Sequence, residues 1–240
     1  MDLFDEGDIS GCFAGAFTLD EAALRELCEV SAEGHSAVVR ALASELPIQG
    51  EIADFVRRIL DSAGEAERNA PSKQAAQLAS REAADRAATD RGERCVKAVL
   101  EAAFKVYRET DRLFGFLRFT PDCGGVYTAY CAPDHFTLPF LAEHFAARFG
   151  SAPWAIIDEK RNIVLSCRAG EGPRLHHRAA TAAGACAAPA GAAADPWEGI
   201  WRDYHRAINI ESRKNPRLQK QFMPERYRKY LSELKPGALP

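Results

Sequence analysis

Two pairs of short stretches rich in β-formers flank a single amphipathic helix, and this order constrains the fold more than any other feature of the chain. Residues 116–120 and 126–131 alternate in polarity and carry Phe, Thr, Val and Tyr. They are joined by Pro121-Asp122-Cys123-Gly124-Gly125, whose proline and paired glycines supply turn geometry. A helix over 138–149 follows, with Pro139 in its first turn and Gly150 just past its end. Leu138, Leu141, Ala142, Phe145 and Phe149 form its buried stripe, whereas Phe140 and His144 lie off it. Residues 154–157 and 163–167 read as strands around the polar turn Asp158-Glu159-Lys160-Arg161-Asn162. The hairpin–helix–hairpin unit predicts an α+β fold in which a small antiparallel sheet packs with N-terminal and C-terminal helices.

The flanking regions differ in how much core they can supply. Of 240 residues, 43 are Ala, which adds little apolar area per residue, so the 47% hydrophobic fraction overstates the core. A helix is expected over 51–60, where Ile52, Phe55, Val56, Ile59 and Leu60 recur at helical spacing. Between Leu60 and Val96 the only large aliphatic residue is Leu78, among seven acidic and six basic side chains. Propensity favours a helix from Ser72 onward, but without an apolar face it reads as a solvated, charged arm. From residue 95 a stronger helix is expected, with Val96, Val99, Leu100, Ala103, Tyr107, Thr110 and Phe114 inward and Lys97, Lys105, Arg108 and Arg112 outward. The division expected is therefore a helical region 1–94 with a charged Ala-rich arm and an α+β domain 95–240, interrupted by a low-complexity loop at 170–194.

Several function classes are disfavoured. No run of about 18 apolar residues marks a membrane span. The start, Met1-Asp2-Leu3-Phe4-Asp5-Glu6, lacks the basic and apolar regions of a secretory signal, so the expected location is cytoplasmic. Seven cysteines (12, 28, 95, 123, 131, 167 and 186) contain no C-x-x-C pair and read mostly as reduced, buried small hydrophobes; Cys123 falls in an exposed turn. No metal site and no cofactor are expected. Neither a phosphate-cradling glycine loop nor a G-x-S-x-G elbow is present.

Charge is distributed unevenly. Ten Lys/Arg and five Asp/Glu lie between Trp197 and Lys235, so with an overall net charge of −3 the rest of the chain carries −8. Asp195-Pro196-Trp197-Glu198 is a helix start, and Trp197, Ile200, Trp201, Tyr204 and Ile208 form a stripe expected to dock on the sheet or on the helix of residues 95–114. Shorter helices are expected at 216–222 and 224–231. Arg213, Lys214, Arg217 and Lys220 cluster around one turn, and Arg226, Arg228 and Lys229 follow, interleaved with Tyr227 and Tyr230. Such cations bind phosphates without sequence preference, and aromatic rings stack on unpaired bases.

Phe114-Gly-Phe-Leu-Arg-Phe-Thr, Tyr130-Cys-Ala-Pro-Asp-His-Phe, His144-Phe-Ala-Ala-Arg-Phe and Trp154-Ala-Ile-Ile-Asp-Glu-Lys-Arg together resemble a family of uncharacterised DNA metabolism or repair proteins. Trp201-Arg-Asp-Tyr, Arg213-Lys-Asn-Pro and Met223-Pro-Glu-Arg-Tyr-Arg-Lys-Tyr resemble its C-terminal motif. The resemblance covers residues 95–167 and 195–234. In that family the domain occurs beside a radical-SAM protein or fused to a uracil-DNA glycosylase-like domain. It implies DNA as a partner, and a radical-SAM or uracil-DNA glycosylase-like protein as a second one. The chain carries no glycosylase motif and no C-x-x-x-C-x-x-C, so it resembles the separate, partner-type form.

Two functional expectations follow. One is an accessory module that binds nucleic acid through Arg213, Lys214, Arg217, Lys220, Arg226, Arg228 and Lys229, with a partner docked on an apolar patch including Phe140. The other is an enzyme of nucleic-acid metabolism with a site around Asp134, His135, Asp158 and Arg161, where His135 is a general base oriented by a carboxylate. Competing structural uses are Asp134 as a helix cap, His135 as a corner residue and Asp158–Arg161 as an internal salt bridge.

Overall fold

A computed structural model describes residues 21–122, 124–178 and 196–234. Cys12, Cys123, Cys186, the Ala-rich run at 181–194 and the side chain of Trp197 lie outside the described residues. The chain divides into two compact units. One comprises the helices up to Glu109 together with Asp134–Thr137; the other comprises Thr110–Pro133 and the chain from Leu138 onward.

The first unit is helical: α1 (Glu21–Val30), α2 (Ala32–Ala43), α3 (Gln49–Arg68), α4 (Lys73–Thr89) and α5 (Arg94–Phe116), within which the unit boundary falls. Leu27, Val38, Ile52, Phe55, Ile59, Val96 and Val99 are buried together. Each large apolar side chain removed from water stabilises by roughly 1.5–3 kcal/mol. At Gly34, where α2 approaches α3, a Cβ would lie 3.1 Å from Ile59 Cδ1, so any larger residue requires the Ile59 side chain to shift.

The segment expected to be a solvated arm is instead the packed helix α4. Its Ser72 cap accepts a hydrogen bond from the Ala75 N–H at 3.3 Å. Ala76, Ser80, Ala84, Ala87 and Ala88 are buried, and α4 packs along α3. The physical reason is geometric: these small residues recur every three or four positions, so their face buries modest area but lets two helices approach closely. Ser31 Oγ donates to Asp85 at 2.7 Å, and Arg58 bridges Asp90 at 2.9 Å and Glu93 at 3.2 Å.

The inward stripe of α5 is also rotated from expectation. Val96, Val99, Ala102, Ala103, Val106, Glu109, Thr110 and Leu113 are buried, and Tyr107 is exposed. Ala102, Val106, Glu109 and Leu113 lie at helical spacing, so a carboxylate takes a core position.

The second unit holds a five-stranded sheet in the order β1 (Thr120–Pro121), β2 (Tyr127–Cys131), β3 (Trp154–Asp158), β4 (Ile163–Cys167) and β5 (Arg174–His177). It is mixed rather than purely antiparallel, because β2 and β3 pair in parallel from Tyr127↔Trp154 to Cys131↔Asp158. Helix α6 (Leu138–Phe149) carries the chain back across the sheet, and such a crossover makes the strands it joins parallel. The flanking pairs β1–β2 and β3–β4 are antiparallel, as expected of hairpins. Strand β1 is shorter than expected because α5 continues to Phe116. The expected loop at 170–194 contains β5, which pairs with β4.

The stripe of α6 is as expected: Leu138, Leu141, Ala142 and Phe145 are buried. Phe149 stacks on Trp154 at 6.2 Å, and Phe119 packs on Phe145 at 5.0 Å. Off the stripe, the His144 ring lies 4.4 Å from that of Phe114, and Phe140 is half-buried. No described helix is long and apolar enough to cross a membrane.

Candidate nucleic-acid interface

The C-terminal segment of the sheet unit is built from α7 (Pro196–Ile208), a 3₁₀ turn (Glu211–Arg213), α8 (Pro216–Phe222), α9 (Glu225–Arg228) and a second 3₁₀ turn (Ser232–Leu234). Asn215 caps α8 by accepting from the Leu218 N–H at 3.0 Å, and Pro216 occupies its first turn.

Two residues anchor the end of the segment. Tyr227 is buried, with its ring 5.4 Å from that of Phe116, and Leu231 is fully buried. A buried ion pair and an exposed one add to this. Arg118 donates to Glu233 at 2.7 Å, where Glu233 is only 5% exposed. Burial pushes the Glu233 carboxyl up, but the Arg118 hydrogen bond, backbone donation and the Trp201 side chain outweigh it and hold it below the usual range. Glu159 accepts from the Tyr230 hydroxyl at 2.5 Å and from Lys229 at 3.1 Å. The Tyr230 bond and Lys229 lower the Glu159 carboxyl against its burial; burial and the same carboxylate raise the Tyr230 phenol.

The seven expected phosphate ligands separate accordingly. Arg213, Lys214, Arg217 and Lys220 are all exposed. Lys214 reaches Glu211 only at 3.6 Å and Lys220 reaches Glu225 at 4.0 Å, surface pairs worth about 0–1 kcal/mol each. Arg213 and Arg217 form no ion pair among the described residues. The other three have partners of their own, with Arg226 and Arg228 half-buried and Lys229 exposed. Arg226 lies 4.8 Å over the Tyr227 ring, Arg228 donates to Gln219 at 3.1 Å, and Lys229 pairs with Glu159. Neither tyrosine interleaved with them is free to stack on a base, since one is core and the other hydrogen-bonded.

Most of the described α7 stripe is not docked, and the Trp197 side chain lies outside the described residues. Ile200, Trp201, Tyr204 and Ile208 are exposed, as are Leu218 and Phe222 on α8. Trp201 instead lies beside a cation, with the Arg118 guanidinium 5.5 Å from its ring, and 5.9 Å from the ring of Tyr204. This is the apolar surface of the segment, rather than the half-buried Phe140.

The four expected catalytic residues are held as two pairs in separate units. Asp158 is fully buried; Oδ1 accepts from the N–H of Lys160 at 2.9 Å and of Arg161 at 3.2 Å, and Oδ2 accepts from the Arg161 guanidinium at 2.7 Å. Arg161 also donates to the Pro133 carbonyl at 3.2 Å. This geometry shapes the β3–β4 turn, in which Asn162 takes a left-handed φ of 57°. In the helical unit, Asp134 is exposed and His135 Nδ1 lies 2.7 Å from the Ser44 carbonyl oxygen. The Glu109 carboxylate accepts the N–H groups of both Asp134 and His135. Sequence reasoning missed Glu109, Glu159 and Glu233. Only Glu109 had a readable signal, an acid in the apolar register of α5.

His176, expected in a loop, lies on β5 with Nε2 3.0 Å from Ser166 Oγ. Cys131 and Cys167 are buried and Cys95 is half-buried, but Cys28 is exposed on α1; all four are free thiols. Among the described residues no group of three His, Cys, Asp or Glu could hold a metal ion.

The domain of unknown function DUF4130 matches residues 72–233, two thirds of the chain, and the chain belongs to that family. The match begins at the cap of α4 and ends at Glu233, so it includes the exposed cations and their anchors. No curated protein and no solved structure matches the chain.

Proposed function

We propose that this DUF4130 protein is a cytoplasmic accessory protein of DNA repair or DNA modification, one that binds nucleic acid and supports a radical-SAM or glycosylase-type partner. One observation carries the reading: Arg213, Lys214, Arg217 and Lys220 stand exposed within eight residues of chain, two of them without an ion pair among the described residues. Guanidinium and ammonium groups in that state exchange counterions for phosphate, and the weak pairs at Lys214 and Lys220 cost little to open. The exposed apolar stripe of α7 is the surface for a protein partner, because large aromatic and aliphatic side chains exposed together mark interaction sites. The resemblance of the motifs to DNA metabolism proteins supplies the biological setting.

Salt-dependent binding tests the reading. The full chain is titrated against labelled duplex and single-stranded DNA between about 50 and 200 mM salt. Affinity should fall steeply with salt, and Arg213→Ala with Arg217→Ala should reduce the logarithmic salt slope by about 2. No binding at the lowest salt, alone or with the co-expressed partner, would end the assignment.

A further inference from the structure

We propose that the outward face of α5, residues 97–108 of the helical unit, is a stacking platform for single-stranded nucleic acid. It uses none of the C-terminal cations and does not depend on them.

Phe104 is 57% exposed and Tyr107 is 54% exposed. Their rings are 6.4 Å apart and inclined by only 21°, so they present one aromatic surface. The Arg108 guanidinium lies 5.8 Å from the Phe104 ring centroid, one helical turn away. Lys97 and Lys105 are exposed on the same helix, and Glu101 is the sole acid between residues 97 and 108. Lys97, Lys105 and Arg108 form no ion pair among the described residues.

An ordinary solvated helix face has no use for two large rings, since exposing them forgoes their burial energy. Their surroundings indicate what covers them. Lysine is depleted at protein–protein interfaces, yet two of the three cations here are lysines. Unpaired bases stack on aromatic rings at any sequence, with the flanking cations meeting the phosphates. Bases within a duplex are already stacked on their neighbours, so the platform selects single strands. Charge complementarity and ring exposure together point to that polymer rather than to an acidic peptide, which would have no use for the parallel rings.

The test is fluorescence anisotropy of the full chain with a labelled oligo-dT of about 20 nucleotides and a duplex of equal length, at about 50 mM salt. Phe104→Ala with Tyr107→Ala should weaken single-strand binding at least tenfold, about what the loss of one stacked base does. Duplex binding should stay unchanged, and Phe104→Tyr with Tyr107→Phe should retain single-strand affinity. Both rings are exposed, so the helical circular dichroism should be preserved; if it is not, Lys97→Glu with Lys105→Glu serves as the test and should show the same loss. Unaltered single-strand affinity, an equal loss on duplex, or no single-strand binding by the unsubstituted chain overturns the proposal. The C-terminal pair Arg213→Ala and Arg217→Ala is measured in parallel. If only that pair weakens binding, the C-terminal reading stands and the platform falls; if only the aromatic pair does, the reverse holds.

Discussion

The Glu109 carboxylate, 2% exposed, accepts the backbone N–H of His135 at 2.8 Å. Its other oxygen accepts the N–H of Asp134 at 2.9 Å. One acid on α5 thus satisfies two consecutive donors that no secondary structure could serve. Phe136 completes the arrangement by donating its own N–H to the Ala43 carbonyl at 2.9 Å. Glu109→Ala leaves both donors without their acceptor and should destabilise by about 2–4 kcal/mol. Urea denaturation measures it, and Glu109→Gln, which keeps an acceptor, should cost less.

Asp158 and Arg161 make the corresponding pair in the sheet unit. Removing one partner of a buried pair leaves the other charge uncompensated, so Asp158→Ala should cost about 3–5 kcal/mol. The melting temperature reports it directly. A purely catalytic Asp158 would instead leave the melting temperature unchanged.

Glu233 should make stability depend on pH. Its carboxyl is held below the ordinary glutamate value of 4.5 in the folded chain. A group depressed on folding stabilises fully above its unfolded value, and that contribution disappears as pH falls through the folded one. The difference in melting temperature between the native chain and Glu233→Gln should therefore be full at neutral pH and shrink below 4.5. A difference that grows with acid would contradict the Arg118–Glu233 geometry.

Close packing of α4 gives a steric prediction. Ala84 has no exposed surface, so Ala84→Leu inserts three carbons where there is no room and should destabilise by about 1–3 kcal/mol. At exposed Leu78 on the same helix, Leu78→Ala should change stability by less than about 0.5 kcal/mol. Equal responses at both positions would restore the picture of a solvated arm.

Much of the α+β unit was legible in the sequence because its signals are local. Alternation marked β2, the polar turn at 158–162 marked β3 and β4 on either side of it, helical spacing marked α6, and the short helix expected at 216–222 is α8. The failures share a cause. Periodicity in α4 was carried by alanine, whose burial depends on how near a neighbouring helix comes, a distance no single segment encodes. In α5 the apolar residues admitted two adjacent stripes, and the burial of Glu109 selected one. Tyr227 and Tyr230 read as aromatics among cations, but their own partners, Phe116 and Glu159, lie about 110 and 70 residues away in the chain.

Composition, periodicity and turn chemistry by themselves determined the order of elements, the hairpin–helix–hairpin core and the cationic bias of the C-terminal segment, since each depends on neighbours within a few residues. Tertiary structure alone decided which cations find an acid to pair with. Whether Arg213 or Lys229 remains available for phosphate depends on where a distant acid such as Glu159 comes to rest, because an ion pair forms across space rather than along the chain.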